Sequence, residues 1–122
     1  MKSMCRRGDI YFVDFGQNIE SNKQCGIRPA VIVSNNRANE HSPVITVVPL
    51  TSRVDKKRFL PTHVLIPKGY GLNKNSLALA EQVETIDKKN LKEFRGRIID
   101  AEVMEQITKA IQIQIGVDEK YN

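Results

Sequence analysis

Apolar residues in this chain come in short β-branched and aromatic bursts separated by polar turns, a pattern that builds sheets. Ile10-Tyr11-Phe12-Val13-Asp14-Phe15 follows the turn-like Arg7-Gly8-Asp9 and reads as a first strand. Residues 16 to 26 are polar and predict an exposed loop, long enough to move, that leads to a second strand at Ala30-Val31-Ile32-Val33. Arg37 to His41 has room for one helical turn before Ser42-Pro43, and Val44 to Leu50 is a third strand. Thr62 to Pro67 alternates as a fourth, and Gly69-Tyr70-Gly71 makes a turn. Ser76 to Leu79 and Gln82 to Ile86 add further short strands, or one strand kinked at Ala80-Glu81. Five or six short strands at this spacing predict a compact barrel or curled sheet.

The period then changes. Val103, Ile107, Ile111 and Ile115 fall four residues apart, lining one helical face, while Glu102, Glu105, Gln106 and Lys109 stay wet. Asp100 suits the N-cap and Gly116 the C-cap, so a helix over about 100 to 115 is expected to cover the sheet. A chain of 122 residues is the length of one domain, and no linker or repeat divides it.

The formal net charge is +5, and its placement matters more than its size. Residues 1 to 61 hold ten Lys/Arg against five Asp/Glu, whereas residues 62 to 122 hold nine of each. A basic half attracts phosphate backbones through counterion release, or serves simply as solubilising charge. Cys5 and Cys25 are too few and too far apart for a zinc site. With no run of signal-peptide length and nothing near the ~20 apolar residues of a membrane helix, a reducing cytoplasm is the expected location.

Two segments put a polar group at the end of a buried strand. Gly26-Ile27-Arg28-Pro29 runs into the second strand, and Pro49-Leu50-Thr51-Ser52-Arg53 ends the third. Arg28 offers a planar fork of donors matched to phosphate oxygens, on a backbone restricted by Pro29. The Thr51 hydroxyl projects from a strand end, where it can bond a phosphate oxygen or merely shape a turn. RNA is cut without metal when its own 2′-OH attacks the adjacent phosphate, provided something accepts that proton and stabilises the five-coordinate phosphorus. No Asp/Glu/His cluster stands at metal-ligand spacing.

These two segments, with Arg7-Gly8-Asp9-Ile10-Tyr11, Leu60-Pro61-Thr62-His63-Val64, Glu81-Gln82 and Thr85-Ile86-Asp87, resemble in order the MazF/PemK/Kid family of small endoribonuclease toxins. The resemblance spans nearly the whole chain. It implies one MazF-like toxin domain over residues 1 to 122, mainly β with helices: an SH3-like small β-barrel with a C-terminal helix. It further implies a homodimer that cleaves single-stranded RNA at a short sequence without a metal or other cofactor, an mRNA interferase leaving a 2′,3′-cyclic phosphate and a 5′-hydroxyl. The partner would be a MazE-like antitoxin that masks the site.

Residue by residue, the resemblance marks Arg28 and Thr51 as catalytic. It implies that Arg28 acts as general acid or base, although a guanidinium, which gives up its proton reluctantly, is better suited to stabilising charge. Glu81 matches an acid given a catalytic part in the Kid-like branch, which makes it a candidate general base or a structural carboxylate; Leu79 stands where that branch has an Arg. Ser21, Asn22, Asn35, Arg53 and Gln82 are expected RNA contacts by proximity. His41 and His63 fall on no motif position. Two other readings remain: a non-catalytic RNA-binding barrel, and a CcdB-like gyrase inhibitor, a type whose C-terminal tryptophan this chain lacks, ending Glu119-Lys120-Tyr121-Asn122.

Overall fold

The computed structural model describes residues 4–18, 20–54 and 60–121. Its strands are β1 (Asp9–Asp14), β2 (Ile27–Ile32), β3 (Val44–Thr51), β4 (His63–Ile66), β5 (Ser76–Leu79), β6 (Glu84–Asp87) and β7 (Leu91–Arg97). Two α-helices, α1 (Asn36–His41) and α2 (Ala101–Gln114), join them. Neighbouring strands are antiparallel and follow the order β4-β5-β3-β2-β1-β7, with β6 also on β3.

β3 is the hub. One edge pairs with β2; the other is shared, Val44–Val47 with β6 and Leu50–Thr51 with β5. The segment from 76 to 87 is therefore two strands, separated by a 3-10 turn at Ala80–Gln82, that serve different halves of the same strand. Pro49 falls where β3 changes partner, a place where its missing N–H withholds no ladder bond. Pro29 lies one residue before the β2–β3 ladder begins at Ala30 opposite Pro49.

β2 starts three residues earlier than its apolar run, because Ile27 to Pro29 pair with β1, Arg28 facing Val13. The runs at Ala30–Val33 and Ile45–Leu50 are nearly unbroken because both faces are covered. Val31, Val33, Val48 and Leu50 join Ile10, Ile66 and the α2 residues Ile107 and Ala110 in one core cluster. Ala30, Ile32, Ile45 and Val47 join Tyr11, Val13 and Ile86 in a second.

α2 matches its predicted span: Asp100 caps it by accepting from Glu102 N–H at 2.9 Å. At the other end Gly116, with φ +82°, donates to Ile113 O while Val117 donates to Gln112 O, the two bonds of a Schellman turn. Ile107 and Ala110 are buried and Val103 and Ile111 half-buried, but Ile115 is exposed beyond the sheet. Arg7 joins helix to sheet, donating to Thr108 Oγ1 at 2.6 Å and to the Val33 carbonyl. Asp9, almost fully buried, accepts from Arg97 Nε at 2.6 Å; that hydrogen bond and the charge behind it push the Arg97 pKa up.

β7 is absent from the sequence expectation because four of its seven residues are charged and break any apolar alternation. It is a strand because β1 offers a free edge, and two register shifts accommodate the fit. No ladder joins β7 to β4 among the described residues. Instead the turn that follows β4 crosses β7: Tyr70 (φ +55°) and Gly71 (φ +91°) rest on Arg95 and Gly96. A Cβ on Gly71 would fall on the Arg95 carbonyl, and one on Gly96 on the Tyr70 carbonyl. The two ends of the strand path thus meet backbone to backbone. The basic connection expected after β3 is described only at Arg53 and Val54; residues 55 to 58 of it lie outside the described residues.

Gly71→Ala combines a clash with a left-handed backbone and is expected to remove about 3 kcal/mol or more of unfolding free energy in urea titrations. Gly16, also left-handed (φ +80°) but with nothing within 4 Å, is the control. Gly16→Ala should lose only about 1–2 kcal/mol. Equal losses would show that the crossing does not constrain the fold.

Candidate functional site

The ends of β2 and β3 open onto one cleft of about 290 Å³. Continuing the β2–β3 register two residues past Ala30 and Pro49 sets Arg28 across from Thr51, and both line this cleft. Arg28 is exposed, and its Nε donates to the Cys25 carbonyl at 3.0 Å. That bond anchors the near side of the guanidinium. Its two terminal amino groups have no partner among the described residues, which leaves a fork of donors of the kind that suits an anion.

Thr51 is 7% exposed, and its Oγ1 accepts from Arg53 N–H at 3.2 Å. With an acceptor site taken by the turn, the hydroxyl proton remains free to donate. The same turn brings Ser52 and Arg53 to the wall. The far wall holds Asn73, Lys74 and Ser76 before and at the start of β5, and Arg95 of β7, whose guanidinium carbon lies 5.2 Å from the centre of the Phe12 ring. Among the described residues, Arg28, Arg53, Lys74 and Arg95 give the lining four cations, and no Asp or Glu lines it. No group of three His, Cys, Asp or Glu suited to a metal ion occurs among the described residues.

Glu81 is not on the cleft: Oε1 accepts from the Thr62 hydroxyl at 2.8 Å, and Oε2 lies 3.0 Å from His63 Nε2. Leu60 N–H donates to His63 Nδ1, which leaves Nε2 to carry the proton toward Glu81. Gln82 is also off the cleft but grips its rim, since its Oε1 accepts from Gln24 N–H at 2.7 Å and Gln24 lines the opening. Lys23 beside it reaches Glu84 at 3.2 Å.

Ser21 shapes the loop by accepting from Lys23 N–H at 3.2 Å, and Asn22 is exposed; neither lines the cleft. Asn35 follows the opposite end of β2 from Arg28. Its side chain accepts from Ala38 N–H at 2.8 Å as the N-cap of α1, which removes it from the cleft. His41 is an exposed residue of that helix.

Gln24, Asn73, Lys74 and Arg95 line the cleft without having been expected there. Lys74 and Arg95 carried a faint signal, being cations near glycines in segments flanking the motif residues, but a charge near a turn is usually just solvated.

Comparison with known proteins gives this geometry a family. The model of PemK-like, MazF-like toxins of type II toxin-antitoxin systems matches residues 6–115. An endoribonuclease MazF from Staphylococcus saprophyticus is 41% identical over 115 residues, 93% of each chain. A mycobacterial endoribonuclease, solved in complex with its cognate antitoxin, is 29% identical with a TM-score of 0.74 over 93% of this chain and 96% of that one. MazF from Deinococcus radiodurans, at 20% identity, shares the fold with a TM-score of 0.78 over 94% of this chain and 99% of that one. With the family model covering almost all the described residues and that close a relative along the same length, the chain belongs to the PemK-like, MazF-like toxins of type II toxin-antitoxin systems.

Proposed function

We propose that this protein is a sequence-specific, metal-independent endoribonuclease toxin of single-stranded RNA, and that the cleft between the ends of β2 and β3 is its active site. The observation that carries the reading is that Arg28 and Thr51 line one cleft whose described lining holds four cations and no carboxylate. The family relatives named endoribonuclease support it.

In the proposed reaction the 2′-oxygen attacks phosphorus as its proton leaves to an acceptor. The P–O5′ bond then breaks and the 5′-oxygen takes a proton, giving a 2′,3′-cyclic phosphate and a 5′-hydroxyl. Arg28, anchored through Nε, presents its open amino groups to the non-bridging oxygens, where negative charge grows. The Thr51 hydroxyl donates to the same phosphate. A preorganised donor of this kind contributes about 2.7–4 kcal/mol to the transition state.

Glu81, with its oxygens committed to Thr62 and His63, is proposed as a strut: it steadies the Ala80–Gln82 turn from which Gln82 holds Gln24 at the rim. The whole chain is proposed to work as one toxin domain, an SH3-like barrel closed at the Gly71–Gly96 crossing and acting as a homodimer in the cytoplasm. A solved relative in complex with its cognate antitoxin supports an antitoxin partner, which is proposed to be MazE-like and to mask this cleft. No helix among the described residues is long and apolar enough to cross a membrane.

Purified protein incubated with long single-stranded RNA and a chelator should give discrete cuts ending in cyclic phosphate and 5′-hydroxyl. Arg28→Ala should lower turnover by about 10²–10³ with the melting curve unchanged, and Thr51→Ala should lower it less. Intact RNA with the unmutated protein would overturn the nuclease reading, and RNA binding without cutting would favour a passive RNA-binding barrel.

Glu81→Ala should destabilise by about 1–3 kcal/mol, since the buried Thr62 hydroxyl then loses its acceptor and the contact with His63 is lost. Turnover per folded molecule should fall far less than in Arg28→Ala. A fall of 10²–10⁴ in Glu81→Gln at unchanged stability would instead assign the carboxylate a general-base role.

A further inference from the structure

Arg95 stands on the wall of the cleft away from both motif segments, and the fold fixes it there by an unusual route. Its neighbour Gly96 and the facing Gly71 pass so closely that neither tolerates a side chain. The backbone carrying Arg95 therefore has almost no freedom to slide along the turn that bears Leu72, Asn73 and Lys74. The side chain is seated in turn, with its guanidinium carbon 5.2 Å from the centre of the Phe12 ring. Phe12 itself belongs to the cleft lining.

The donors of this guanidinium are under-used. Its Nη2 reaches the Gly71 carbonyl and its Nη1 the exposed Glu93 carboxylate, each at the long distance of 3.4 Å. Five N–H groups on one plane thus have two weak partners among the described residues, while the side chain keeps 28% of its surface open. An arginine needed only to brace the turn would make shorter bonds to it. An arginine backed by an aromatic ring and facing a cation-lined cleft is pre-set for a phosphate, which accepts two parallel N–H bonds.

We infer that Arg95, held on Phe12, is a second phosphate clamp that grips the RNA backbone at a nucleotide flanking the scissile bond. This rests on the reading of the cleft as the RNA site. Arg28 stabilises the reacting phosphate; Arg95 holds a neighbouring one and so fixes the strand against the opposite wall. It is a binding and positioning group and takes no part in proton transfer.

The test uses the whole chain and a single-stranded RNA oligonucleotide spanning a cut site mapped with the unmutated protein, its scissile nucleotide carrying 2′-deoxyribose to remove the nucleophile. Equilibrium binding is measured across a salt series for the unmutated protein, Arg95→Gln, Arg95→Met and Arg95→Lys, each checked for an unchanged melting curve. Gln can still donate to the Gly71 carbonyl, so a bracing role survives in Arg95→Gln, whereas a phosphate clamp does not.

Binding by Arg95→Gln and Arg95→Met should weaken about tenfold at low salt. The slope of log affinity against log salt should become shallower by about 0.7, the loss of one phosphate contact on a single strand. Arg95→Lys should retain the slope. With cleavable RNA, KM should rise in the neutral variants much more than kcat falls. Unchanged affinity and slope in Arg95→Gln, with the unmutated protein still cutting RNA, would overturn the clamp and leave the nuclease standing. Failure of the unmutated protein to cut or bind RNA would overturn both.

Discussion

The chemistry of the cleft depends on where the β2–β3 ladder stops. Pro29 carries no N–H, so the pairing cannot run on to the ends of the strands; it begins at Ala30 opposite Pro49. Beyond that point the two strand ends are no longer tied to each other, yet each is held on its far side, Arg28 by β1 and Thr51 by β5. Arg28 and Thr51, opposite one another in the continued register, are thereby both left lining the cleft.

Electrostatics follow from which acids are already engaged. Asp9 is bonded to Arg97, Glu81 to His63 and Thr62, and Glu84 to Lys23. Those three carboxylates join parts of the sheet, while Arg28, Arg53, Lys74 and Arg95 line the cleft with no acid among its described lining residues. A concave surface with one sign of charge concentrates field lines and draws a polyanion toward it. The net charge of +5 understates this local effect.

Much of the fold was legible in the sequence. The strands at 10–15, 44–50 and 62–67 and the helix after Asp100 follow from β-branched runs, turn residues and a change of apolar period, and all lie within one or two residues of their expected places except the start of β2. That strand extends back to Ile27 because β1 supplies an edge that pairs Arg28 and Pro29, a decision made outside the segment itself. β7 was not legible: Lys92, Glu93, Arg95 and Arg97 carry no apolar alternation, and only the edge of β1 makes them a strand. Asn35 lies away from the cleft for a similar reason, since a strand has two ends and the sequence does not say which one faces the cleft.

By itself, the sequence determined the local choices: where the chain extends, where it turns, where the helix starts, and that Arg28 and Thr51 each terminate a buried strand. Those choices rest on side-chain sterics, capping and periodicity over a few residues. Only the tertiary structure decided which residues share the cleft, because register, the Gly71–Gly96 crossing and the partners of Glu81 depend on contacts between segments far apart in the chain. Local propensities carry no information about such contacts.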